Sequence, residues 1–191
     1  MLKALTDNIT LLALLVAVAG FGSTEAYYAA FGLSFQVLGL PADHLVHRGL
    51  TAVLGAPMLG LTYAAALATV AFQARIAVLL GGVERLRWFD YALVGAFTAT
   101  AWWAGRHAGI SAAEADASAS RSSLPIVAKL IPKSDAQTPG IDGAVDGYRL
   151  LLQNDSGTYV FKPVADTTRE SPLVRFIPSG QLDALSVCAR C

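Results

Sequence analysis

The chain has 191 residues and a formal net charge of +0 at pH 7; 54% of its residues are hydrophobic and 15% are charged. Globular domains have about 25% charged and about 45–50% apolar residues, so the apolar excess needs an explanation. A neutral chain has no overall field that attracts a polyanion, which excludes nucleic acid as an expected partner. Because the excess is concentrated before residue 110, the sequence predicts a membrane region followed by a polar domain.

The first apolar segment, Ile9 to Leu33, is long enough for a membrane-spanning helix, which needs about 20 mainly apolar residues. It contains one carboxylate, Glu25, which would lie about 24 Å along a helix that begins at Ile9. That depth is close to the far interface, where Glu25 could reach water or pair with Arg48 or Arg106. We expect such a structural role rather than a proton or ion pathway, with Arg48 as the pairing partner to test. Tyr27 and Tyr28 are expected to anchor the helix at the same interface.

A polar cluster follows the predicted turn at Gly39 to Pro41 and consists of Asp43, His44 and His47. Positions three apart share one face of a helix, so the two histidines could hold a metal ion, with Asp43 or Glu25 completing the ligand set. No motif such as HExxH supports a metal site. We therefore interpret the cluster as polar side chains at the headgroup level of a membrane and expect no metal or other cofactor.

The second apolar segment, Gly49 to Phe72, contains no charged residue. Its small residues favour close packing against other helices, because packing rather than hydrophobic exclusion drives helix association in lipid. The expected packing positions are Gly55, Gly60, Ala64 and Ala68. Residues 73–88 contain three arginines, which excludes another span there and predicts an interfacial stretch.

The third segment, Phe89 to Gly105, has Trp88 before one end and Trp102 and Trp103 near the other, which is the arrangement of an aromatic belt at two interfaces. Basic residues are slightly more numerous on the side of the N-terminus. The positive-inside rule then predicts a cytoplasmic N-terminus and a periplasmic or extracellular C-terminal domain. The expected location is the cell (inner) membrane, with residues 1–109 forming three transmembrane helices.

Residues 110–124 are rich in Ala and Ser and predict a linker or a helical extension of the third segment. Residues 125–187 contain short runs with strand composition and two-residue alternation. The five predicted strands are Pro125–Ile131, Gly147–Gln153, Gly157–Pro163, Pro172–Pro178 and Ala184–Val187. Asn154 to Gly157 predicts a hairpin whose turn residues accept positive φ, and one helical turn is expected before the last strand. The order favours a small all-β domain, an SH3-like or OB-like barrel.

The aromatic residues at alternating positions in these runs are expected to form the core of the β domain. They are Tyr148, Tyr159, Phe161 and Phe176. Residues 188–191 are a Cys-Ala-Arg-Cys tail. We expect its thiols, Cys188 and Cys191, to be free or mutually bridged, because a chain terminus cannot supply the helix start that a thioredoxin-like site needs.

No nucleophile elbow, P-loop, dinucleotide-binding fingerprint or pair of catalytic carboxylates appears in the polar part. The sequence therefore predicts a non-catalytic accessory or structural subunit of a membrane complex, in contact with the lipid bilayer and with other membrane subunits or copies of itself. Its β domain is expected to dock a protein partner. Two alternatives are a homo-oligomeric membrane channel or sensor gated by the β domain, and a metal- or redox-dependent membrane enzyme that uses His44, His47 or the cysteine pair.

Overall fold

The computed structural model describes residues 2–55, 86–132, 147–167 and 170–188. In these ranges the helices are α1 (Leu2–Ala30), α2 (Ala42–Gly55) and α3 (Leu86–Ala117), and 3-10 turns occur at Phe35–Val37 and Ser179–Gln181. The strands are β1 (Ile126–Pro132), β2 (Arg149–Asn154), β3 (Gly157–Phe161), β4 (Val174–Pro178) and β5 (Leu182–Cys188). The chain divides into a helical unit, Met1–Tyr27 with Leu40–Ile110, and a β unit, Tyr28–Gly39 with Ser111–Cys191.

Within the described ranges, no helix combines the length and the apolar character that crossing a membrane requires. The second predicted span, Gly49 to Phe72, is described only as far as Gly55, and its remaining residues lie outside the described ranges. The longer helices carry polar and charged residues along their length, such as Glu25 in α1 and Arg106 and Glu114 in α3. This finding corrects the prediction of three transmembrane helices, and with it the multi-pass inner-membrane location and the periplasmic placement of the β domain.

The helices of the helical unit meet where glycine lets two backbones approach closely. A Cβ atom added at Gly20 of α1 would collide with the carbonyl oxygen of Leu45 in α2, and one added at Gly49 of α2 would collide with the backbone of α1. A Cβ atom at Gly105 of α3 would overlap the backbone of Ala19 in the same way. Only glycine fits such contacts without a shift of the backbone. Beside them lies a buried cluster formed by Leu15, Ala19 and Ala101.

The β unit contains one antiparallel sheet with the strand order β4-β3-β2-β1-β5. The five predicted strands are therefore present, although their ends differ by a few residues from the prediction. The 3-10 turn at Ser179–Gln181 lies before β5, where one helical turn was predicted. β4 and β5 stand at the two ends of the strand order. Among the described residues the pairings give a five-stranded antiparallel sheet, and the SH3-like or OB-like barrel stays a prediction.

The two faces of the sheet bury different side chains, because successive residues of a strand point to opposite faces. Val160 of β3 and Ile177 of β4 pack with Val127 in a buried cluster on one face. The neighbouring residue Phe161 points to the second face, where its ring meets the ring of Phe31 edge to face with 4.9 Å between centroids. Part of the segment Tyr28–Gly39 therefore packs on this second face of the sheet.

Candidate docking site on the β unit

A cavity of about 450 Å³ opens in the β unit. One wall is formed by Gly32, Leu33, Ser34 and Leu38, and the other by Ser156, Tyr159 and Phe176. None of the described residues that line the cavity has a charged side chain. The volume of the cavity lies in the range of about 300–1,000 Å³ that is typical of ligand-binding clefts in proteins. The chemistry of the lining suits an uncharged, largely apolar group with a few hydrogen-bonding atoms.

The first wall begins where α1 ends in a glycine cap. Gly32 has φ 73°, a left-handed conformation that glycine adopts without steric cost. Its N–H donates to the carbonyl oxygen of Ala29 at 2.9 Å, and the N–H of Leu33 donates to that of Tyr28 at 3.0 Å. This pair of bonds is the Schellman arrangement, which ends a helix and reverses the direction of the chain. The cap thereby directs the following residues along the cavity.

Asn154 connects this wall to the hairpin between β2 and β3. Its Nδ2 donates to the carbonyl oxygen of Leu38 at 2.9 Å. Its Oδ1 accepts hydrogen bonds from the N–H groups of Ser156 at 3.1 Å and Gly157 at 3.0 Å. The hairpin is present as predicted. Its turn differs from the prediction, which expected positive φ angles, because neither the described non-glycine residues nor Gly157 have a positive φ. The asparagine side chain closes the turn instead.

Tyr159 and Phe176 form the second wall. They face each other across β3 and β4, and their ring centroids are 4.8 Å apart at an interplanar angle of 39°. Tyr159 is buried, whereas 47% of the Phe176 surface is exposed, which corrects the prediction that Phe176 belongs to the core. A Cβ atom at Gly157 would lie 2.6 Å from the Phe176 ring. The glycine therefore lets this ring lie close to β3.

β4 is an edge strand with a mixed surface. It pairs with β3 on one side, and no strand pairs with its other side in the part of the chain that the structure describes. Leu173, directly before β4, is 67% exposed. Arg175 is opposite Val160 and so belongs to the face away from Phe176, with its guanidinium carbon 5.7 Å from the centroid of the Tyr148 ring. An open edge of this kind can pair with a strand of another chain.

The predicted metal candidates Asp43, His44 and His47 all lie in the first half of α2. Among the described residues, no group of three or more His, Cys, Asp or Glu side chains is placed to hold a metal ion. Burial lowers the pKa of His44 below its ordinary value of 6.5, and the nearby charges of Arg48 and His47 act in the same direction, whereas Asp43 opposes them. His44 is therefore held toward its neutral form in the folded chain.

The structure places Arg48 on an aromatic ring. Its guanidinium carbon lies 3.8 Å from the centroid of the Tyr27 ring, a cation–π contact. Glu25 is exposed. The pairing of Glu25 with Arg48 stays a prediction. Tyr27 and Tyr28, expected as anchors at a membrane interface, are both buried.

The other predicted positions are distributed as follows. Trp102 and Trp103 are exposed on α3, and Gly55 is exposed with open space around an added Cβ atom. The side chain of Trp88 and the positions Gly60, Ala64 and Ala68 lie outside what the structure describes. Cys188, the last residue of β5, is disulfide-bonded.

The cavity itself was missed at the level of sequence. The stretch after α1 was interpreted as a turn at an interface, although Gly32 and Gly39, both with positive φ, mark the two ends of the wall segment. The run Pro172–Pro178 was identified as a strand, but its edge position was missed, although proline in a strand is confined to edge strands, strand starts and bulges. Comparison of the chain with protein-family models, with curated proteins and with solved structures finds no match.

Proposed function

We propose that the chain is a non-catalytic docking protein, an accessory or structural subunit of a protein complex, whose β unit binds a polypeptide partner at the cavity and the adjoining edge of β4. The observation that carries this proposal is the open cavity, whose described lining residues are all uncharged, with Phe176 exposed at its side. The sequence favoured a docking role for the β domain because no catalytic motif appears in the polar part. The geometry now supports one specific surface for it.

Phe176 supplies the main apolar contribution of this surface. An aromatic side chain has roughly 150–250 Å² of surface, so an exposed fraction of 47% corresponds to about 100 Å² that a partner can cover. At about 25 cal/mol per Å², covering this area contributes about 2–3 kcal/mol to binding. Leu173 adds a second exposed apolar side chain beside the same strand. These contributions are of the size found at the few residues that dominate protein interfaces.

The test is photo-cross-linking followed by an affinity measurement. A benzophenone amino acid replaces Phe176 in the full chain in its source cells, and the same replacement of Val187 on the opposite sheet edge is the control. The cross-linked partner is then purified, and its Kd is measured for the wild type and for Phe176→Ser. We expect Phe176→Ser to weaken binding at least about tenfold, equivalent to about 1.4 kcal/mol.

Val187→Ser is the matched control for affinity, because Val187 is 43% exposed on β5 and is also an apolar residue of an edge strand. It should leave the Kd unchanged. Circular dichroism spectra of both variants must match the wild type. A Kd for Phe176→Ser within twofold of the wild-type value, in a folded variant, rules out the cavity and the β4 edge as the docking surface.

A further inference from the structure

We infer that the partner of the β unit contributes an extended segment that adds as a strand to the outer edge of β4 and carries an acidic residue next to an aromatic or aliphatic residue. This inference rests on the proposed docking function and specifies the chemistry of the partner. It follows from the alternation of side chains along β4 and from the charge at the centre of that strand.

β4 offers a regular backbone edge. All five of its residues pair with β3 on the inner side, from Val174 opposite Phe161 to Pro178 opposite Gly157. Five residues present an edge of about 17 Å. In strand addition, main-chain hydrogen bonds supply affinity and alternate side chains supply specificity. A partner segment of five to eight residues is long enough to cover this edge.

The two central side chains of β4 differ in chemistry and in the face that they occupy. Phe176 lies on the cavity side with Tyr159, whereas Arg175 lies on the other face above the ring of Tyr148. Two adjacent residues of an added strand also point to opposite faces. One of them meets Phe176 and the uncharged cavity, and its neighbour meets the positive charge of Arg175. Opposite charges at facing positions stabilise a strand pair, and like charges destabilise it.

Charge argues against a second copy of this chain as the occupant. Antiparallel pairing of two β4 strands about a two-fold axis near their centre brings the two Arg175 side chains to the same or adjacent cross-strand positions. The apolar area is also small, since Leu173 and Phe176 each expose on the order of 100 Å². Their burial in two copies falls well below the about 1,200 Å² of a stable interface. A different polypeptide with an acidic residue fits better.

The probe is a library of random eight-residue peptides displayed on phage and selected on the immobilised full chain. We expect enrichment of sequences with an acidic residue adjacent to an aromatic or aliphatic one. A synthetic peptide of the enriched sequence should bind the wild type and lose at least about fivefold in affinity for Arg175→Glu, because an attraction becomes a repulsion. Replacing its acidic residue by Lys should restore binding to Arg175→Glu. A proline at the centre of the peptide should abolish binding, because it removes a main-chain donor.

The possible failures are distinguishable. Peptides whose binding depends on Phe176 but is equally strong to Arg175→Glu and to the wild type contradict the prediction of an acidic residue in the partner. They remain consistent with the docking function. If the selection enriches no peptide that binds more weakly to Phe176→Ser than to the wild type, the result counts against both the docking function and the strand-addition inference. If the chain alone sediments as a dimer that Phe176→Ser converts to a monomer, the occupant is a second copy and the inference is wrong. The neutral variant Arg175→Gln, expected to bind with intermediate affinity, replaces Arg175→Glu if the charge reversal prevents folding.

Discussion

Replacement of Gly157 by Ala adds a methyl group at the start of β3. The new Cβ atom would collide with the carbonyl oxygen of Ile177 and would lie 2.6 and 2.9 Å from two carbon atoms of the Phe176 ring. Real Cβ atoms do not approach carbon atoms so closely, and the carbonyl belongs to the backbone of β4. The variant therefore has to separate the ends of β3 and β4 or turn the ring of Phe176 away from the cavity.

The expected loss of stability in Gly157→Ala is the sum of two destabilising contributions and one stabilising contribution. Overpacking of a filled site destabilises a protein by about 1–3 kcal/mol. Separation of the strands also threatens the hydrogen bond from the N–H of Ser179 to the carbonyl oxygen of Ser156, 3.1 Å long, which is worth about 1 kcal/mol. Alanine restricts the unfolded chain more than glycine does, which stabilises the folded state by about 0.4–1 kcal/mol. The net loss in the free energy of opening this part of the sheet is about 1–3 kcal/mol.

Hydrogen exchange measured by mass spectrometry is the suitable assay, because it reports on β3 and β4 separately. Tryptophan fluorescence does not report on this sheet, since all three tryptophans belong to α3. Peptides that cover β3 and β4 should exchange about 5- to 150-fold faster in Gly157→Ala than in the wild type. Gly180→Ala is the matched control, because an added Cβ atom at Gly180 meets open space and its φ is not positive.

Gly180→Ala should exchange at the wild-type rate or more slowly. Equal protection of β3 and β4 in the two alanine variants would show that Phe176 and Ile177 relax without cost, and the argument for a tight contact at Gly157 would then be wrong.

Three further outcomes are expected. Gly105→Ala should lower the free energy of unfolding of the helical unit by about 1–3 kcal/mol, because its methyl group overlaps the backbone of Ala19. Urea denaturation followed by tryptophan fluorescence measures this loss. Gly95→Ala on the same helix, whose added Cβ atom meets open space, should not lower it. Asn154→Ala should destabilise the β2–β3 hairpin by about 1–3 kcal/mol in hydrogen exchange through the loss of three hydrogen bonds, and Asn154→Asp, which keeps the two accepted bonds, should lose less. The pKa of His44 is lowered in the folded chain, so the unfolded chain binds more protons than the folded chain below pH 6.5. The free energy of unfolding should therefore decrease as the pH falls from 6.5 through the folded pKa. Urea titrations at several pH values should show that His44→Gln lacks this part of the pH dependence.

The strands could be predicted from the sequence because their signal is local. Alternation and turn residues within about 65 residues identified all five strands, and the hairpin was placed correctly at Asn154–Gly157. The ends of the strands were less accurate, because they depend on distant partners. β5 was predicted as Ala184–Val187, whereas its pairing with β1 extends it to Leu182–Cys188. Pairing between residues about 60 positions apart leaves no trace in the composition of either strand.

The environment of the helices, in contrast to the strands, was not predicted correctly from local sequence. The second predicted span begins at Gly49, in the middle of α2, whose first half carries Asp43 and Arg48. A count of apolar residues does not indicate which neighbour a helix packs against. Gly49, which was not among the predicted packing positions, meets the backbone of α1 within the helical unit, whereas an added Cβ atom at the predicted position Gly55 meets open space. Close helix contacts through small residues do occur, but at Gly20, Gly49 and Gly105, which the sequence did not single out.

The cavity could not be predicted, because its walls are far apart in the sequence. The bond from Asn154 to Leu38 joins residues 116 positions apart, and it holds the wall segment to the hairpin that begins the second wall. Gly157 belongs to that hairpin and touches the ring of Phe176. Stability and the proposed docking surface are thus coupled through the hairpin. A loss of binding in Asn154→Ala or Gly157→Ala cannot separate a damaged cavity from a damaged sheet, whereas Phe176→Ser changes an exposed ring and leaves the buried pairing in place. Affinity measurements on Phe176→Ser therefore decide the docking proposal, and variants of the hairpin decide the packing argument.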